Sequence, residues 1–188
     1  MGQRRLDNTD KELTIYTIGH STRTLEELIA ALRTHGVTTL VDIRAFPMSR
    51  RMPHFDRESL ELELPKRGVD YLWMKELGGR RKKILQDSPN TGLRNDSFRN
   101  YADYMLTPEF AQAIERLLEI SGKDKTAIMC AERVYFQCHR MLVSDYLVAH
   151  GHTVLHIDDD TRQPRPHKLM AEAHLVNGQL LYNAQELF

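Results

Sequence analysis

Two cysteines in 188 residues are too few for a disulfide framework. No apolar run approaches the roughly 20 residues that cross a bilayer, and the polar segment 1–11 has no apolar signal core. A cytoplasmic protein with reduced thiols and no membrane partner is therefore expected. There is also no charge of one sign to spare. Lys+Arg and Asp+Glu both count 26, so nothing pulls the whole chain toward nucleic acid. There is no internal repeat and no low-complexity tract. Lysine is scarce beside arginine, 8 against 18. Arginine grips carboxylate or phosphate with a rigid fork, although a GC-rich genome gives the same bias.

What is present reads as one α/β domain. β-Branched runs at 13–18, 38–43, 69–74, 126–130 and 153–157 are expected strands. Amphipathic segments separate them. Thr24 and Glu27 form a capping box, Leu25, Leu28, Ile29 and Leu32 make one face, and Gly36 ends that helix. Further helices are expected over 56–67 from Asp56, over 96–105, from Thr107-Pro108, and from about 141 to 149. Alternation of this kind predicts a mostly parallel sheet with helices on both faces. Residues 1–12 read as a disordered leader, and 13–188 as the single domain. An extension begins at about 158, with a short helix and then an extended piece at 180–182. The stretch 75–95 is a long loop of the kind that is usually functional or mobile.

The chemistry concentrates in 130–140, which holds both cysteines, Glu132, His139 and Arg140 between a buried strand and a buried helix. Open α/β sheets bind ligands at such strand ends. If the sheet is parallel, two other polar segments share that rim: His20-Ser21 after the first strand, and the Arg44–Arg51 loop after Asp42. Cys130 is the candidate nucleophile, activated by nearby cations; a packed apolar cysteine is the competing reading. Cys138 can resolve an oxidised Cys130 as a disulfide, join Cys130, His139 and His20 around a metal, or simply pack. Glu132 suits a general base or a partner of Arg140. Asp42, His20 and His139 complete the candidate catalytic set. Arg44, Ser49, Arg50, Arg140 and Ser21 form the candidate anion-binding set. The basic run 80–83 near Trp73 is a weaker candidate for single-stranded nucleic acid.

These motifs carry a resemblance. Thr17-Ile-Gly-His-Ser-Thr22, Asp42-Ile-Arg44 with Pro47 and Ser49-Arg50, Leu77-Gly-Gly79, Phe98-Arg-Asn-Tyr101-Ala102, Cys130-Ala-Glu132 and Cys138-His139-Arg140 occur in order. Over about 13–157 the chain resembles the prokaryotic family called domain of unknown function 488. The resemblance implies that His20, Asp42, Arg44, Arg50, Cys130, Glu132, Cys138, His139 and Arg140 belong together. It names no reaction. The chain is also faintly similar to rhodanese-like and Cys-dependent phosphatase folds, which place Cys, an anion loop and a helix in that order. The glycine-free spacing from Cys130 to Arg140 departs from theirs. The expected function is therefore an enzyme with a Cys/Arg/His site for a small anionic, phosphate- or nucleotide-like substrate. The alternatives are a nucleic-acid or ligand-binding module and a Cys/His metal protein. The residues leave the cofactor and oligomeric state unspecified.

Overall fold

The structure is a computed structural model, and it describes residues 11–183. In chain order the elements are β1 (Thr14–Gly19), α1 (Leu25–Thr34), β2 (Thr39–Asp42), α2 (Arg57–Glu63), β3 (Asp70–Trp73), α3 (Asp96–Tyr104), α4 (Pro108–Ser121), β4 (Thr126–Cys130), α5 (Arg140–Ala149), β5 (Thr153–Ile157), β6 (Arg165–Pro166), β7 (Ala173–Val176) and β8 (Gln179–Tyr182). The first six strands to share a sheet lie in the order β3-β2-β4-β1-β5-β6. Every pair is parallel except the short antiparallel edge of β6 on β5. The expected α/β domain with a mostly parallel sheet is what forms.

The two faces of the sheet bury two cores. Tyr16, Ile18, Leu40, Ala127 and Met129 face α1 and α2 through Leu28, Leu32 and Leu60. Their strand neighbours Ile15, Val41 and Ile128 face α3, α4 and α5 through Tyr101, Phe110, Leu142 and Leu147. Strand alternation thus sends successive side chains to opposite helical layers.

The capping box is made as expected: Glu27 N–H donates to Thr24 Oγ1, and Thr24 N–H donates to the Glu27 carboxylate. Gly36 takes φ 67°, the left-handed turn its position requires. Asp56 precedes α2, but its carboxylate caps nothing. It accepts from Ser49 N–H at 2.6 Å instead, tying the loop after β2 to the helix.

Two expectations need correction or completion. No helix forms in the described part of the tail. Residues 173–182 are a hairpin turned by Asn177 and Gly178, both at positive φ, a two-residue turn that matches strand twist. The stretch 75–95 is pinned rather than loose. Tyr101 and Tyr104 hydroxyls donate to the Leu77 and Glu76 carbonyls, and Asn90 bonds both Asp103 and Tyr182 N–H. The leader expected over 1–12 lies, for residues 1–10, outside the described residues. Glu12 already accepts from Thr153 Oγ1. Among the described residues no helix is long and apolar enough to cross a membrane.

Topology decides where a ligand can bind. The chain leaves β1 and β2 over the α1–α2 face, but leaves β4 over the α5 face. β4 lies between β1 and β2. Its C-terminal end is therefore flanked by connections that depart to the opposite side, which opens a crevice there. Cys130 is the last residue of β4, opposite Gly19. The 130–140 loop returns so closely that a Cβ on Gly19 would lie 1.9 Å from the Glu132 carbonyl oxygen. Gly19→Ala is accordingly expected to destabilise the protein by about 1–3 kcal/mol, toward the upper end because the neighbour is backbone. Urea unfolding measures this, and an unchanged midpoint would mean the loop does not close on β1.

Candidate functional site

On the α1–α2 face the site begins with a buried ion pair. Asp42 is fully buried, and its carboxylate accepts from Arg44 N–H, Nε and Nη2 and from the Tyr71 hydroxyl at 2.5–3.0 Å. The second amino group of Arg44, Nη1, donates to His20 Nε2 at 3.2 Å, while Nη2 also donates to the Phe55 carbonyl. A guanidinium only donates, so His20 Nε2 is the acceptor and Nδ1 carries the proton. That proton goes to the Ser21 carbonyl at 3.0 Å. Burial, then the Arg44 charge, hold the His20 pKa down to about 4, so the ring is neutral at pH 7. It stacks on Phe55 with centroids 4.3 Å apart.

On the opposite face lie both cysteines, each buried. Cys130 Sγ is 3.8 Å from His139 Nδ1. His139 Nε2 lies 2.9 Å from the Ile43 carbonyl. A carbonyl accepts, so Nε2 holds the proton and the Nδ1 lone pair faces the sulfur. Burial lowers the His139 pKa and keeps the ring neutral. A hydrogen bond from Cys138 draws the Cys130 pKa down to about 7. Burial opposes this shift, and the Arg140 charge and the Glu132 and Ala131 N–H groups assist it. Cys138 moves the other way, raised by Cys130 and by burial. The pair gives up one proton readily and the second with difficulty.

Arg140 is 1 % exposed, and its guanidinium is occupied by the protein. Nε donates to Cys138 Sγ at 3.3 Å, Nη1 to Thr17 Oγ1 at 3.3 Å, and Nη2 to the carbonyls of Glu132 and Arg133. Its backbone N–H also reaches Cys138 Sγ, at 3.4 Å, so that sulfur serves the α5 N-terminus in place of a side-chain oxygen. Gly79 closes the site from the 75–95 loop. A Cβ there would meet His139 Nδ1 at 2.4 Å.

The backbone joins the two faces. His20 N–H donates to the Cys130 carbonyl and Ser21 N–H to the Ala131 carbonyl, with Ser21 at φ 50°. The structure thus brings His20, Ser21, Asp42, Arg44, Cys130, Cys138, His139 and Arg140 to one strand-end region. Three other sequence candidates sit differently. The Glu132 side chain is exposed, and it is the Glu132 carbonyl, not the carboxylate, that Arg140 meets. Ser49 Oγ accepts from Met52 N–H inside its own turn. Arg50 is exposed on the loop after β2. The 80–83 cluster is divided: Arg81 is held by the Gly78 and Glu76 carbonyls and lies 3.6 Å over Tyr104, while Lys82 and Lys83 are exposed.

Sequence reasoning did not single out Thr17, Tyr71, Asp145, His156 and His167. Asp145 was legible as an acid inside an apolar helix, and His156 as a histidine inside a buried strand. A polar cleft of about 240 Å³ opens beside the 130–140 loop, lined by Ser21, Thr22, Arg23 and Arg133 and by the acids Glu27, Asp159 and Asp160. A cleft of about 560 Å³ lies away from the cysteines, between Lys83, Asp87, Ser88 and the Asp96, Arg99 and Asp103 side of α3.

The cysteines and the histidine also form a donor set. The ligand atoms of Cys130, Cys138 and His139 all lie within 4.8 Å of one another. Two thiolates and an imidazole suit zinc, and three protein ligands leave one position open.

Residues 24–147 match the family model described as Domain of unknown function DUF488, well over half the chain, and the chain belongs to that family. No curated protein and no solved structure matches it.

The neutral histidines make stability depend on pH. In the unfolded chain they bind a proton near pH 6.5; folded, His20 binds one only near 4 and His156 only near 3. The unfolded state therefore takes up more protons between these values. Stability is full above about pH 6.5 and falls as the pH drops toward 4, by on the order of 3 kcal/mol for His20 alone. Urea midpoints from pH 7.5 to 4.5 check this. A His20→Asn protein should show a shallower fall, and a midpoint constant down to pH 5 would contradict the neutral, buried rings.

Proposed function

We propose that this member of the DUF488 family is an enzyme that uses the Cys130 thiolate on a small anionic substrate. The observation that carries the reading is the pairing of Cys130 Sγ with the free Nδ1 lone pair of a neutral His139, at 3.8 Å, at the end of β4. His139 is placed to accept the thiol proton, and Sγ then bonds to the electrophilic centre of the substrate. The proton on His139 leaves with the departing group, and water or a second acceptor releases the product. Arg140 and the N–H groups of Ala131 and Glu132 favour the thiolate.

Arg44 and Arg140 are spent on the protein itself. Among the described residues, exposed cations on loops that leave the same edge of the sheet include Arg50, Arg51 and Arg133, with Arg80, Lys82 and Lys83 after β3. This supports an anionic substrate without choosing between phosphate, carboxylate and nucleotide. The neutral net charge argues against a non-specific nucleic-acid binder.

A second reading has its own observation, the three ligand atoms within 4.8 Å. In that reading Cys130, Cys138 and His139 hold a zinc ion, and the Ile43 carbonyl orients His139 through its other nitrogen.

Iodoacetamide labelling separates the readings. For the thiolate enzyme, Cys130 labels with an inflection near pH 7, and the Cys130→Ser protein loses that phase. An inflection at or above the ordinary value of about 8.5, or no labelling in the folded protein, would remove Cys130 as nucleophile. For the metal reading, equimolar Zn²⁺ protects Cys130 from labelling, and Co²⁺ gives a thiolate charge-transfer band that Cys138→Ser abolishes.

A further inference from the structure

We propose that residues 156–182 form a positioning strap for the site. A one-directional chain of buried hydrogen bonds runs from Arg140 through Thr17, His156 and His167 to Asp145, and it fixes the guanidinium that donates to Cys138 Sγ. The whole of this strap lies beyond the family match, which ends at residue 147.

The distances are continuous. Arg140 Nη1 is 3.3 Å from Thr17 Oγ1, which is 2.7 Å from His156 Nδ1. His156 Nε2 is 2.9 Å from His167 Nδ1, and His167 Nε2 is 2.8 Å from Asp145 Oδ1. Asp145 also accepts from Met170 N–H and from the Tyr182 hydroxyl, so the hairpin seats on the same carboxylate. Thr17 and Asp145 are fully buried, and His156 and His167 nearly so.

The two ends set the direction. A guanidinium can only donate and a carboxylate can only accept. With both rings neutral, the carboxylate end requires the proton at Nε2 of His167 and then at Nε2 of His156, so Thr17 accepts from Arg140 and passes its own proton to His156 Nδ1. His156 then donates from Nε2 to His167 Nδ1, and His167 donates from Nε2 to Asp145. For neutral rings this is the one arrangement that gives each donor along the chain its acceptor, with both rings protonated at Nε2. An imidazolium at His156 would turn Nδ1–H toward Thr17 and remove the acceptor of the Thr17 hydroxyl proton.

The strap also holds the loop by packing. Tyr135, inside the 130–140 segment, stacks on His156 at 3.6 Å with the rings 5° from parallel, and meets the edge of His167 at 5.5 Å. The Arg140 donors that the chain orients carry the loop itself, through the Glu132 and Arg133 carbonyls and Cys138 Sγ. Thr17, His156, His167 and Asp145 are thus positioning residues, each acting through Arg140.

Long-range ¹H–¹⁵N correlation spectra of the full chain at pH 7 test the arrangement directly. His156 and His167 are expected as Nε2–H tautomers, and an Nδ1–H tautomer or an imidazolium at either would overturn the chain. Thr17→Val, which removes the hydroxyl at nearly constant volume, tests the positioning. It should change the Cys130 labelling rate at pH 7 by about threefold or more, within what one hydrogen bond is worth. Thr17→Ser should restore the rate. A folded Thr17→Val protein that labels at the wild-type rate would remove the positioning role. If Thr17→Val does not fold, or if wild-type Cys130 does not label, the wild-type tautomers decide the strap. Only the second of those outcomes also counts against the thiolate enzyme.

Discussion

The burial of one cation, Arg140, organises this end of the molecule. Removing a guanidinium from water is costly unless its donors are met by fixed acceptors. Arg140 meets the Glu132 and Arg133 carbonyls, Cys138 Sγ and Thr17 Oγ1. These partners come from the β4–α5 loop and from β1, so satisfying one side chain dictates the path of the loop. Gly19 is the complement of that path, because any side chain there would strike the Glu132 carbonyl. Cys138 is drawn to the start of α5 by the same arginine, and Cys130 comes within reach of it and of His139.

The second buried cation, Arg44, does the same work on the other face. It is held by Asp42, Phe55 and His20. The two networks meet through main chain: His139 donates to the Ile43 carbonyl, one residue from each of Asp42 and Arg44, and His20 N–H donates to the Cys130 carbonyl. Loss of either arginine would leave buried acceptors unpaired on its own face of β4, beside main chain that the other network holds. This interdependence is a physical reason for the motifs at 17–22, 42–44 and 130–140 to occur together in one family.

Commitment of Arg44 and Arg140 to the protein changes what the arginines mean. Sequence assigns both to a ligand, since an arginine beside a helix start suits an anion. In the structure most of their donors go to the protein, and they hold Cys138 and His20 in place. The exposed cations on the loops at this edge include Arg50, Arg51 and Arg133. The 75–95 stretch shows a related shift. Its length suggested a functional or mobile loop; in the structure the Tyr101 and Tyr104 hydroxyls of α3 and a main-chain N–H of β8 hold it in place.

Local chemistry alone determined a good deal. The β-branched runs, the Thr24–Glu27 box, the Thr107-Pro108 start and Gly36 each specify an element through interactions within a few residues, so five strands and the α/β class were legible. The position of Cys130 after a buried strand followed from the same reading. The tail was misread because a short apolar segment has no period of its own. Only its short helix fails to form among the described residues: the extended piece at 180–182 is part of β8, which Asn177-Gly178 turns back onto β7. Which nitrogen of His139 faces Cys130, whose oxygen Arg140 meets, and how Thr17, His156, His167 and Asp145 join depend on atoms up to 139 residues apart. Hydrogen-bond direction is fixed by such distant partners, and only the tertiary structure decided it.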